Sequence, residues 1–164
     1  MKFLVLFPLL LSITLSQNTN DVYKRILKRI NVTNAIEIRA SNKTEMNNKV
    51  NAANVSESVK EWVKNSSPNK TNSKSNIDLS YEKNEGGKAK GELYYLSLQG
   101  NGYVFYYGTA NVELGRAEKY YVKKCFLLFC SKKLVVPVIK EETLKSFLNI
   151  EIRKAIREKL KKNK

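Results

Sequence analysis

GELYYLSLQGNGYVFYYGTANVEL, Gly91 to Leu114, is the stretch that decides the fold class. It is rich in aromatic and β-branched residues, and Gly100-Asn101-Gly102 in its middle tolerates the positive φ of a tight hairpin turn. Two strands joined by that turn are predicted. Lys119 to Phe129 and Lys133 to Ile139 continue the strand texture, giving an antiparallel β-meander of four to five strands. Pro137 cannot donate to a ladder, which puts the last run at an edge or near its end.

The chain closes with EETLKSFLNIEIRKAIREKLKKNK, in which Leu144, Leu148, Ile152, Ala155, Ile156 and Leu160 fall on one helical stripe. Glu141 and Glu142 stand in the first turn and lysines crowd the last, the polarity the helix dipole favours. A C-terminal amphipathic helix packed on the sheet is the economical way to bury that stripe.

Upstream of Gly91 the texture is different. Asn20-Asp21 can cap a helix carrying Val22, Tyr23, Ile26, Leu27 and Ile30 on one side. Val55, Val59, Trp62 and Val63 mark a second helix, with Ser58 and Glu61 spaced as a capping box. A polar interval separates the two. After Lys64, NSSPNKTNSKSN contains no apolar side chain whose burial would offset the entropy of ordering it. The chain therefore divides into a signal peptide (1–16), an N-terminal helical region (17–64), a flexible linker (65–90) and a meander plus C-terminal helix (91–164). The fold class expected is α+β, with N-terminal helices before the sheet.

The signal is read from MKFLVLFPLLLSITLSQ, which has one cation at Lys2, an apolar run from Phe3 to Leu15, and the small residues Thr14 and Ser16 ahead of Gln17. A spanning helix needs roughly 20 apolar residues, more than this run supplies. No later stretch is long and charge-free enough to span either. A secreted, extracellular chain that is not an integral membrane protein is expected.

Charge is the other global feature. The formal net charge is +15; Lys2 supplies +1, and the rest divides as +5 over Gln17 to Ser80, +2 over Tyr81 to Lys124 and +7 over Cys125 to Lys164. An excess of this kind favours a polyanion or an anionic lipid surface as partner, because each neutralised charge releases bound counterions, and an extracellular protein is the other partner considered. A coding bias toward Lys and Asn would produce part of it without any partner. The candidate basic face comprises Lys123, Lys124, Lys132, Lys133, Arg153, Lys154 and Arg157.

KKCFLLFCSKK, Lys123 to Lys133, contains both cysteines of the chain. In an oxidising compartment Cys125 and Cys130 are expected to pair. In a straight strand their Cα atoms would lie roughly 17 Å apart, whereas a disulfide needs about 4.4 to 6.8 Å, so the chain must turn back between them. Phe126, Leu127, Leu128 and Phe129 then form a small apolar loop. It either inserts into a lipid surface or a partner's pocket, or folds against the Leu144 to Leu160 stripe.

Five N-glycosylation acceptors, at Asn31, Asn42, Asn54, Asn65 and Asn69, all precede Asn72. A glycan cannot be buried, so used sites would mark the N-terminal half as solvent-facing and leave the rest bare.

The chain has no histidine, which excludes a Ser/His/Asp triad, a Cys/His pair and histidine-ligated zinc. No phosphate-binding glycine loop occurs, and no cofactor is expected. A carboxylate pair, for example Glu92 with Glu113 on neighbouring strands, could act in the manner of glycosidases. Seven tyrosines of the meander, Tyr94, Tyr95, Tyr103, Tyr106, Tyr107, Tyr120 and Tyr121, either fill the core or present rings for stacking. The expected function is non-catalytic binding to an anionic surface or extracellular partner. The alternative is a carrier that holds a lipid or small apolar ligand between the sheet and the last helix.

Overall fold

The computed structural model describes residues 20–67 and 70–164; the expected signal peptide lies outside the described residues. The fold is α+β. A helical segment, α1 (20–26), leads into β1 (Leu27–Ala40), α2 (Lys43–Ala52) and α3 (Glu57–Asn65). Then come β2 (Asn72–Glu82), β3 (Gly86–Gln99), β4 (Gly102–Leu114), the hairpin β5 (Tyr120–Phe126) and β6 (Phe129–Val135), and α4 (Glu141–Lys162). β1 to β4 form one antiparallel sheet in the order β1-β4-β3-β2, while β5 and β6 make a sheet of their own.

The sheet has a layer on each face. α4 lays Leu144, Leu148, Ile152, Ile156 and Leu160 on one face, against Ala89, Leu93, Ala110, Val112 and Leu114, with Val22, Tyr23 and Ile26 of α1 closing that cluster. On the other face, Met46 and Val50 of α2 and Val59 and Val63 of α3 pack on Tyr94, Leu96, Phe105 and Tyr107. Trp62 meets Tyr94 edge-on, ring centroids 4.8 Å apart.

α4 seats closely because the strands below it are bare. A Cβ at Gly91 would stand 2.6 Å from Ile152 Cδ1, and one at Gly108 would stand 2.5 to 2.7 Å from three side-chain atoms of Ile156. The two glycines are diagonal neighbours, since Gly91 pairs with Ala110 and Gly108 with Leu93. They form a trough for Ile152 and Ile156, which are one helical turn apart.

Several elements differ from the sequence reading. The first helix stops at residue 26, and Leu27 and Ile30 belong to β1. A register shift between Val32 and Asn34 lets Ile30 and Val32 face α4 while Ile36, Ile38 and Ala40 face α2 and α3. The bulge breaks the two-residue period by which a strand is recognised. The polar interval forms α2, capped by Asn42, whose side chain accepts from the Glu45 amide at 2.8 Å. α3 starts from Ser56, which makes no side-chain cap bond, and Ser58 lies inside the helix, so the Ser58–Glu61 capping box does not form. The linker assigned to 65–90 contains β2 and the start of β3; Ile77, Leu79 and Tyr81 alternate onto the α4 face and offset the cost of ordering this edge strand. Finally, the runs from Lys119 onward do not extend the main sheet, whose fourth strand is β1.

Candidate functional site

β1, β2, β3 and β4 each send side chains into a half-open cleft of about 600 Å³ beneath the C-terminal half of α4. Leu93, Ile156 and Leu160 form its apolar inner wall, and Tyr95 and Tyr106 lie on its floor. Those two rings face each other across a direct β3–β4 pair, centroids 5.5 Å apart and tilted by 32°. Arg153, Arg157 and Lys161 of α4 border it, with Lys164 just beyond the helix end. The first three stand at i, i+4 and i+8, a cationic stripe beside the buried Ile152, Ile156 and Leu160.

One acid enters this field. Glu37 accepts from Arg39 Nε at 2.8 Å and pairs with Lys164 Nζ at 2.9 Å. The hydrogen bond from Lys164 holds its carboxyl below the ordinary range; partial burial pulls the other way and Arg39 adds to the lowering. Among the described residues Arg153, Arg157 and Lys161 form no salt bridge. The cleft thus joins an apolar wall and stacked rings to guanidinium groups whose fork geometry suits carboxylate, sulfate or phosphate.

The basic face expected from sequence is two separate places. Arg153 and Arg157 border the cleft, whereas Lys154 turns to Glu151 at 3.0 Å and is not among the lining residues. Lys123, Lys124, Lys132 and Lys133 stand on the hairpin, where Cys125 and Cys130 are disulfide-bonded at a Cα separation of 4.0 Å. The apolar loop Phe126 to Phe129 does not fold against the Leu144 to Leu160 stripe, which is already buried against the sheet and α1; all four side chains are exposed. The base of the hairpin is held instead by Tyr120, which packs on the main core with Arg25 above its ring, 4.0 Å from the centroid.

The carboxylate pair is not assembled. Glu92 stands opposite Thr109 and Glu113 opposite Lys88, so they are four residues apart along the ladder, roughly 13 Å, beyond glycosidase spacing of about 5 to 9.5 Å. Glu92 instead accepts a hydrogen bond from Tyr107 Oη at 3.0 Å, and burial pushes the Tyr107 phenol upward, helped by that carboxylate. Tyr94 and Tyr107 are core residues, Tyr103 packs at its margin, and Tyr121 is exposed.

Asn31, Asn42, Asn54 and Asn65 are exposed, and Asn69 lies outside the described residues. Asn42, Asn54 and Asn65 flank α2 and α3, the layer opposite the cleft. Sequence reasoning missed Glu37, Lys161 and Lys164 as site residues. The i, i+4, i+8 spacing from Arg153 could have found Lys161, but Glu37 enters only through the pairing of β1 with β4. Among the described residues no cluster of acids and cysteines could hold a metal, and no helix is long and apolar enough to cross a membrane. Compared with known proteins, the chain matches no family model, no curated protein and no solved structure.

Proposed function

We propose that the chain is a secreted, non-catalytic binding protein that takes an anionic amphiphile in the cleft between the sheet and α4. The acid group sits on Arg153 and Arg157, and the apolar body lies on Tyr95, Tyr106 and Leu93. One observation carries this reading: the paired rings of the sheet and guanidinium groups of α4 that form no salt bridge among the described residues meet in one cleft. Its volume is in the range of small-molecule sites, about 300 to 1,000 Å³. The cationic edge favours an acid over a neutral lipid, and the apolar wall favours an amphiphile over a bare polyanion.

The test is titration of the mature chain with a dansyl-labelled fatty acid and with its methyl ester. Saturable one-site binding of the acid is expected. A hydrogen bond to a charged group contributes about 1.5 to 3 kcal/mol, so Arg153→Ala/Arg157→Ala should weaken it by about ten- to a hundredfold. The ester should bind the wild type no better than the acid binds that variant. Equal affinity for acid and ester, or no saturable binding, would overturn the assignment.

A further inference from the structure

We infer that the disulfide-closed hairpin is a membrane anchor that enters the interface of an anionic phospholipid bilayer tip first. Phe126, Leu127, Leu128 and Phe129 are 77%, 83%, 95% and 80% exposed, an apolar cap with no partner among the described residues. Such a cap in water forgoes the hydrophobic gain of burial. Two further features work against the isolated hairpin. Leu127 adopts φ +53°, a conformation better suited to Gly or Asn, and is the sole non-glycine residue with positive φ among the described residues. Lys123 stands directly opposite Lys132, a like-charge pair that repels.

An anionic interface relieves both the exposure and the repulsion. Alternation places Lys123 and Lys132 on the face with the disulfide, and Lys124 and Lys133 on the other. The cations therefore ring the hairpin instead of lining one side, and residues 120–139 contain no acid. A planar anionic surface meets such a ring on all sides. The depths also agree: at roughly 3.3 Å per residue, Lys124 and Lys123 stand about 7 and 10 Å behind Phe126. Interfacial segments enter about 5 to 10 Å, which brings these lysines to the head groups as the rings reach the acyl boundary. The disulfide keeps the two stems together, so the tip enters preformed.

This inference is independent of the cleft and shares no residue with it. The test is co-sedimentation of the oxidised mature chain with phosphatidylcholine vesicles, with and without about one-third phosphatidylserine, at low salt. Binding to the anionic vesicles that falls with salt is expected, with far less to phosphatidylcholine alone. Leu127→Asp/Leu128→Asp alters side chains that are largely exposed, and Asp tolerates positive φ. It should lower vesicle partitioning at least tenfold while leaving the thermal midpoint and dansyl fatty acid binding unchanged. Absence of wild-type binding, equal binding with and without phosphatidylserine, or undiminished binding of the double variant would overturn the inference. Vesicle binding lost only in Arg153→Ala/Arg157→Ala would overturn it too, and would leave the cleft reading standing.

Discussion

Replacing Gly108 with Ala tests whether the seat of α4 sets the shape of the cleft. The new Cβ would stand 2.5 Å from Ile156 Cδ1, 2.6 Å from Cγ2 and 2.7 Å from Cγ1, about 1 Å inside the ordinary carbon–carbon contact of 3.5 to 4.0 Å. Cδ1 can rotate aside. Cγ2 cannot, because a β-branched side chain in a helix has one strongly preferred χ1, so α4 must rise or Ile156 must leave its rotamer. Overpacking of this kind costs about 1 to 3 kcal/mol, offset in part by roughly 0.5 to 1 kcal/mol from removing a glycine inside a strand. A net loss of about 1 to 2 kcal/mol is expected. Gly91→Ala is the internal control: its Cβ meets chiefly the mobile end of Ile152, Cδ1 at 2.6 Å, and should come out within about 0.5 kcal/mol of wild type.

Urea unfolding followed by circular dichroism measures both. Ile156→Ala alone should cost about 2 to 5 kcal/mol, and combined with Gly108→Ala it should cost less than the sum, by a coupling of about 1 to 2 kcal/mol. Gly108→Ala should also change fatty acid affinity, since the same helix turn borders the cleft. A neutral Gly108→Ala, one no costlier than Gly91→Ala, or strict additivity with Ile156→Ala would refute the trough as the determinant of helix height.

Acid should loosen two carboxylate ties. Glu45, held at about 2 by hydrogen bonds from Lys49 and Ser41, and Glu37, held low chiefly by Lys164, both lie below the ordinary 4.5. Their contribution is complete above that value and disappears as pH falls through the folded pKa, so amide exchange at the start of α2 and the end of α4 should quicken below about pH 4. Glu37→Gln should abolish the α4 part and strengthen fatty acid binding by removing the one acid from the cleft; unchanged affinity would count against electrostatic recognition there. Removing the disulfide as Cys125→Ser/Cys130→Ser should cost the hairpin about 2 kcal/mol of closure free energy and raise amide exchange over 122–133. The unfolding midpoint should stay put, because this sheet is separate from the main one, and a large midpoint shift would show the hairpin to be integral to the core. Heparin retention should fall independently for Arg153→Ala/Arg157→Ala and for Lys123→Gln/Lys132→Gln; losses that fail to add would indicate one continuous basic face.

The parts legible in the sequence are those whose pattern is local. The α4 stripe repeats without interruption from Leu144 to Leu160, and β3 and β4 join across a glycine-flanked turn. The disulfide joins the two cysteines across the turn that their spacing requires. β1 was hidden by its own bulge, which moves the apolar side chains from one face to the other halfway along the strand. β2 was hidden by composition: its outward positions are Asn, Lys, Asp, Ser and Glu, and the alternation of Ile77, Leu79 and Tyr81 is visible only when those positions are set aside. The cleft could not be read at all, because it exists only where Tyr95, Tyr106 and Glu37, from three strands, come under one helix end.

The destination of the apolar loop depended on the same long-range facts. An exposed loop docks on its own domain when an apolar surface is vacant, and the α4 stripe looked vacant as long as β1 and β2 were not counted as strands. With both in the sheet, the stripe is covered by side chains from β1, β2, β3 and β4 and from α1, and its tightest contacts are with bare backbone at Gly91 and Gly108. No apolar face of α4 is left to receive Phe126 or Phe129. The completion of the sheet is therefore what turns the hairpin tip outward, and what divides a basic C-terminal quarter into a cleft edge on α4 and a collar on the hairpin.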